Sequence, residues 1–185
     1  MVVRLEISAY IGMLIAAGAD PNVPSEGGKP ETPLHYAAST DDAEVAKAPI
    51  DGGADIEIGH GSIADGTALT NAVGYGCWQV ADLLLCRGAK VEGLWEAAAF
   101  GLMSRVEEFF AATPGPTAEE INEAFDQACR GGQPRAAAYL LQRGADLNAS
   151  PAYARGQTPV AVVCAMSTRW DILASWLKEK GAKAG

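Results

Sequence analysis

The dipeptide Gly-Ala recurs at Gly18-Ala19, Gly53-Ala54, Gly88-Ala89, Gly144-Ala145 and Gly181-Ala182, at separations of 35, 35, 56 and 37 residues. Each copy closes a short apolar run of helical character, and four of them lead through Asp or Lys into loop residues. Recurrence at this spacing is the signature of a repeat array. One such unit cannot bury its apolar face alone, so the stack of units must itself supply the core. Arrays of this kind are mostly binding surfaces and seldom catalysts.

A second landmark keeps the same rhythm. The segments Thr32 to Ala38, Thr67 to Val73, Gly93 to Ala98, Ala124 to Cys129 and Pro159 to Cys164 share one spacing of small and apolar residues. With Leu34, Leu69, Leu94, Phe125 and Val160 equivalent, the steps are 35, 25, 31 and 35. The pattern resembles the ankyrin repeat, whose Thr-Pro-Leu-His-x-Ala signature is complete from Thr32 to Ala37. The resemblance covers nearly the whole chain. It implies an all-α fold, an ankyrin-repeat solenoid of helix-turn-helix units with hairpin-like finger loops. Residues 1–185 are expected to form one domain, with units at 1–31 (partial), 32–66, 67–91, 92–116, 117–157 and 158–185.

Local chemistry agrees. The first helix of each unit is lined with small residues, and Pro in a first turn loses no internal hydrogen bond. The second helix ends in a bulky pair, as in Leu84-Leu85 or Leu140-Leu141, with Gly three residues beyond, able to close it in the left-handed conformation. Three departures stand out. The fourth unit is short and has no Gly-Ala; Ala112 to Pro116 make a turn ahead of Thr117, an expected N-cap with Glu120 at the capping-box position. Pro49 replaces a Leu of the bulky pair, so that helix is predicted to be kinked or to end early. Residues 4–17 read as a second helix without its first, leaving an apolar edge that predicts self-association or partner docking.

Composition narrows the function. Lys and Arg total 14 against 23 Asp and Glu, a net charge of −9. Such a balance argues against nucleic acid, which is bound through Lys and Arg. It suits solubility, or a basic partner. No apolar run is long enough to span a membrane, and the faint signal-like start, with Glu6 beside the apolar run, reads instead as a repeat end. The four cysteines form neither a disulfide framework nor a zinc site. Cys129 and Cys164 share one slot and are expected to be small buried residues in a reducing, cytoplasmic compartment. The reading is of a cytoplasmic, bacterial protein.

Catalytic and metal motifs are missing from the sequence. His35 belongs to the repeat signature, and the resemblance implies that it bonds to backbone and fastens neighbouring units. His60, with Glu57 and Asp65, is one imidazole among spaced carboxylates, which is no recognised ligand set. Ser62 beside His60 lacks an orienting group, and no nucleophile elbow occurs. No cofactor or metal is expected.

The ankyrin resemblance implies a protein partner bound on the concave face of the first helices and on the fingers. Counting from the five equivalent positions, the second and sixth residues onward should face that groove. They are Tyr36 and Thr40, Asn71 and Tyr75, Glu96 and Phe100, Gln127 and Gly131, and Val162 and Met166, with Trp95 and Arg130 beside them. Aromatics, Met and Arg are enriched in interface cores. The fingers at 21–31, 56–66 and 147–157 exceed the usual ankyrin finger by about two residues, and loops on a rigid scaffold commonly carry specificity. A small-molecule binder or weak hydrolase using the same groove is the alternative, and a purely structural scaffold a third reading.

Overall fold

The recurrent Gly-Ala pair is a helix terminator. In the computed structural model, Gly18, Gly53, Gly88, Gly144 and Gly181 have φ of 98, 89, 91, 100 and 93°, the left-handed region. The N–H of the following Ala then turns back to the carbonyl five residues earlier, that of Leu14, Pro49, Leu84, Leu140 and Leu177 respectively, at 2.9–3.0 Å. This is the Schellman arrangement, in which Gly accepts the positive φ without a Cβ clash. The structure describes residues 2–26, 30–151, 156–165 and 171–183, without the side chains of residues 2–6 and 165.

Every regular element among the described residues is a helix. A single helix, α1 (Val2–Ala16), precedes five pairs. They are α2 (Pro33–Ser39) with α3 (Ala43–Asp51), α4 (Ala68–Tyr75) with α5 (Trp78–Cys86), α6 (Leu94–Ala99) with α7 (Met103–Ala111), α8 (Ala118–Arg130) with α9 (Pro134–Gln142), and α10 (Pro159–Ala165) with α11 (Asp171–Glu179). The helices gather into two compact units, Met1–Val91 and Glu92–Gly185. In the first, α2 packs on α4 while α1, α3 and α5 follow one another in a second row. In the second, α6, α8 and α10 form the inner row, each backed by its own partner helix.

Small residues let the inner helices approach. Ala37, Ala38, Ala68 and Ala72 are buried in the first unit, and Ala97, Ala98, Ala124 and Ala128 in the second. Between the rows lie Leu34, Leu69, Val80 and Leu84 in one unit, and Val106, Phe125, Leu140 and Leu177 in the other. Phe110 of α7 meets Tyr139 of α9 edge-on at 5.5 Å, and the Arg143 guanidinium lies over both rings. Such stacking adds modestly to the buried area.

Two expectations are corrected here. The helix holding Pro49 does not end early: α3 runs to Asp51 and is nine residues long, like α5, α7, α9 and α11. Pro49 lies within its last turn, is buried, and its carbonyl serves the terminating turn. Cys129 is fully buried, and burial pushes its thiol pKa well up. Cys164 is exposed instead, because no helix among the described residues packs beyond α10. At the start of α8 the Thr117–Glu120 capping box forms as expected, with Thr117 N–H donating to Glu120 at 2.7 Å.

A ladder joins successive fingers. Asp20, Asp55 and Asp146 each accept the N–H two residues on, at 2.8–2.9 Å, making an Asx turn. That turn presents the next polar side chain, Asn22, Glu57 or Asn148, to the following finger. Each accepts a backbone N–H there: from Asp55 at 2.8 Å, Lys90 at 2.9 Å and Lys183 at 2.7 Å. In these three rungs the acceptor stands four after the Gly of Gly-Ala, whereas the Asp146 N–H is taken by Asn122 of α8 at 2.7 Å.

Candidate partner-binding surface

The best fixed part of the first unit lies under its fingers. Glu31, nearly buried, accepts from the Asn71 amide at 2.7 Å and from the Ser62 N–H at 2.8 Å. Asn71 also takes the Ile63 N–H at 3.0 Å and gives to Ser39 at 3.2 Å. Burial alone would raise the Glu31 pKa, but the hydrogen bonds from Ser62 and Asn71 outweigh it and hold the carboxyl below its usual value. His35 completes the cluster. Its Nδ1 accepts from the Thr32 N–H at 3.3 Å, so its Nε2–H gives to the Gly66 carbonyl at 3.3 Å, thirty-one residues on. The sequence role assigned to His35 is the one seen.

Burial pushes the His35 pKa below its ordinary 6.5. The folded state thus holds the ring neutral while the unfolded chain takes up a proton below that value. The contribution is complete above about pH 6.5 and shrinks as pH falls through it. The stability difference between wild type and His35→Gln should therefore be larger at pH 7.5 than at pH 5 in urea titrations. An unchanged difference would mean that the ring is not held neutral.

Two side chains of the expected strip emerge from this scaffold. Tyr36 is 50% and Tyr75 51% exposed, yet each is tied to a finger. The Tyr36 hydroxyl lies 3.2 Å from Ser25 Oγ, and that of Tyr75 lies 3.1 Å from Ser62 Oγ. Thr40 is exposed beside Tyr36, giving its hydroxyl to the Tyr36 carbonyl at 3.1 Å. His60 and Asp65 sit 3.6 Å apart on an exposed finger. Among the described residues no group of three or more His, Cys, Asp or Glu gathers.

In the second unit, Trp95 and Phe100 are half-buried, and the indole of Trp95 lies against Gly93. Arg130 is half-buried and pairs with the fully buried Asp126 at 2.6 Å. Met166 lies outside the described residues.

Four of the named residues do not face outward. Asn71, Glu96, Gln127 and Val162 are 0, 3, 3 and 6% exposed. Asn71 turns sideways to Ser39 and Glu31 of the preceding helix pair. Glu96 folds back on the N-terminus of α6, accepting from Gly93 and Glu92 N–H at 3.0 Å each. Gln127 and Val162 likewise turn into the inner row. The inner helix buries its second position at Asn71, Glu96, Gln127 and Val162 but exposes it at Tyr36. Its sixth stands at the helix end, where Thr40 and Tyr75 emerge.

Sequence reasoning missed several fixed points. Asp41, at φ 53°, accepts from Gln79 and Val80 N–H at 2.9 and 3.1 Å, capping α5 from the preceding pair. Nothing local marks a cap thirty-eight residues away. Glu96 could have been found, since it stands three residues after the cap position, as His35 and Glu120 do.

A family model of ankyrin repeats in three copies matches residues 7–93. Residues 7–93 carry ankyrin repeats. The matched stretch holds most of α1, the two pairs of the first unit and the finger ladder from Asn22 to Lys90. Among solved structures, the ankyrin repeat domain of human ASB11 is similar, at 22% identity over 97% of this chain and 84% of that one, with a TM-score of 0.47. No curated protein matches the sequence. Ankyrin repeats are in general protein–protein interaction modules, and no described helix is long and apolar enough to cross a membrane.

Proposed function

We propose that this ankyrin array binds a protein partner through the concave face of its inner helices and its fingers, with Tyr36 and Tyr75 as anchors in the first unit. The supporting observation is that both rings are half exposed while their hydroxyls are held by finger serines. A side chain already held in its bound position loses little entropy on docking, and tyrosine is among the residues enriched at interface hot spots. Phe100 and Trp95 are the corresponding candidates of the second unit, with Arg130 beside them. Four free cysteines accord with a reducing compartment, and we assign the protein to the cytoplasm.

Affinity capture from a native lysate tests this. A protein retained by wild type should be lost with Tyr36→Glu and Tyr75→Glu, while the helical circular dichroism stays unchanged. Retention of the same proteins by both folded variants, or of none by wild type, would remove the tyrosine anchors.

The outer side of α1 supports self-association. Ile7, Tyr10, Met13 and Leu14 are all exposed there, an apolar cluster that soluble monomers rarely display. Sedimentation should show a concentration-dependent dimer that Tyr10→Lys abolishes; a clean monomer at high concentration would exclude it.

A further inference from the structure

The ladder predicts a rung that the chain does not fill. Glu92 stands four residues after Gly88, the position at which Asn22, Glu57 and Asn148 each accept a backbone N–H from the next finger. The next pair, α6 with α7, ends without a Gly-Ala turn and makes no finger: the chain passes into α8 through Ala112 to Pro116, with a cis bond at Thr113–Pro114. Glu92 therefore has no following finger to serve. Its carboxylate makes no hydrogen bond or ion pair among the described residues.

A cleft of about 540 Å³, within the range of ligand sites, opens between Glu92 and the start of α8. Trp95, Phe109 and Pro114 form its walls, and Glu92, Glu120 and Glu123 reach its edge. No Lys, Arg or His lines it. The three carboxylates differ in their commitments. Glu120 is used by Thr117, whose N–H and hydroxyl give to it at 2.7 and 2.8 Å. Glu123, like Glu92, has no partner among the described residues. Burial raises the Glu123 pKa, and the neighbouring charges of Glu119 and Glu120 raise it further. A cation would relieve both effects. The Phe109 ring is already covered by Arg105 at 4.8 Å, which leaves the half-buried Trp95 indole to take an apolar stem.

We propose that this cleft holds an extended segment of a partner protein in place of the absent finger, with a backbone N–H on Glu92 and an Arg or Lys side chain running along Trp95 to Glu123. The inference rests on the protein-binding reading above and adds the chemistry of what is bound. An extended segment is required because the rung acceptor takes backbone N–H at each of the other fingers. A basic one is required because the edge offers only carboxylates.

Titration of the full chain with the blocked peptide acetyl-Ala-Leu-Arg-Leu-Ala-amide, followed through the Trp95 indole N–H signal, tests this. The peptide should bind at least about tenfold more tightly than its citrulline counterpart. Glu123→Gln and Glu92→Ala should each weaken binding about tenfold while leaving the circular dichroism unchanged. Equal binding of the citrulline peptide, unchanged binding by the two variants, or equal binding of free ethylguanidinium would each overturn the proposal. Tyr36→Glu and Tyr75→Glu should bind the peptide as wild type does. Failure of peptide binding with tyrosine-dependent capture intact removes the cleft alone. Peptide binding with tyrosine-independent capture removes the tyrosine anchors alone.

Discussion

Asn71→Ala is expected to destabilise the first unit by about 3 kcal/mol while leaving no surface scar. The side chain is fully buried and holds three groups at once: it gives to Glu31 and Ser39 and takes the Ile63 N–H, with Glu31 in turn fixing the Ser62 N–H. Removing it takes a donor from a nearly buried carboxylate and strands a finger N–H. Unsatisfied buried groups cost about 1–3 kcal/mol each, and more when charged. A two-state urea transition should move down by about 1–2 M at ordinary slopes. Tyr75→Ala, at an exposed position, should shift it by less than about 0.5 kcal/mol. The pair separates two roles for the inner helices. If Asn71→Ala weakened partner binding and spared stability, Asn71 would be a contact residue after all.

Gly131→Ala should be comparably severe, for another reason. The φ of Gly131 is −75°, which any residue adopts, so no conformational strain is at stake. A Cβ there would land on the carbonyl oxygen of Ala99, at the end of α6. Both sides of that contact are backbone, and no side chain can swing aside. Overpacking of this kind costs about 1–3 kcal/mol or more, and the upper end applies where α6 and α8 must part. Gly144→Ala is the matched control. It has φ 100° with nothing within 4 Å of the added carbon, so only the left-handed penalty of about 1 kcal/mol applies. Thermal unfolding of the two variants should rank Gly131→Ala well below Gly144→Ala. The reverse order would show that α6 and α8 do not approach so closely.

What could be read from the sequence was what is settled locally. Gly-Ala marked helix ends because a terminating turn needs only a residue tolerant of positive φ. Thr117 and Glu120 announced a start because the capping box spans three residues. Pro49 misled because proline was weighed against the helix alone. Its place in the last turn, with its carbonyl used by Ala54, lets α3 keep its length. The strip was half legible. Position six emerged at Tyr75 and Thr40, and position two emerged at Tyr36 but not at Asn71, Glu96, Gln127 or Val162, where burial depends on packing that the spacing alone does not reveal. In the third pair the helix also begins one residue closer to Leu94, which puts Glu96 where a cap, not a contact, is needed. The rungs were within reach: a polar residue four after the Gly of the first four pairs is a recurrent offset that only comparison of the fingers reveals.

The ladder also bears on how such an array can lengthen. Each rung pairs a side-chain acceptor with a main-chain donor, never with a second side chain. A newly duplicated block brings its donor with it whatever its sequence, proline at that one position excepted. Growth therefore demands no matched pair of mutations at the junction. The fingers are left free to diverge toward new partners, while the seam between neighbours closes by default.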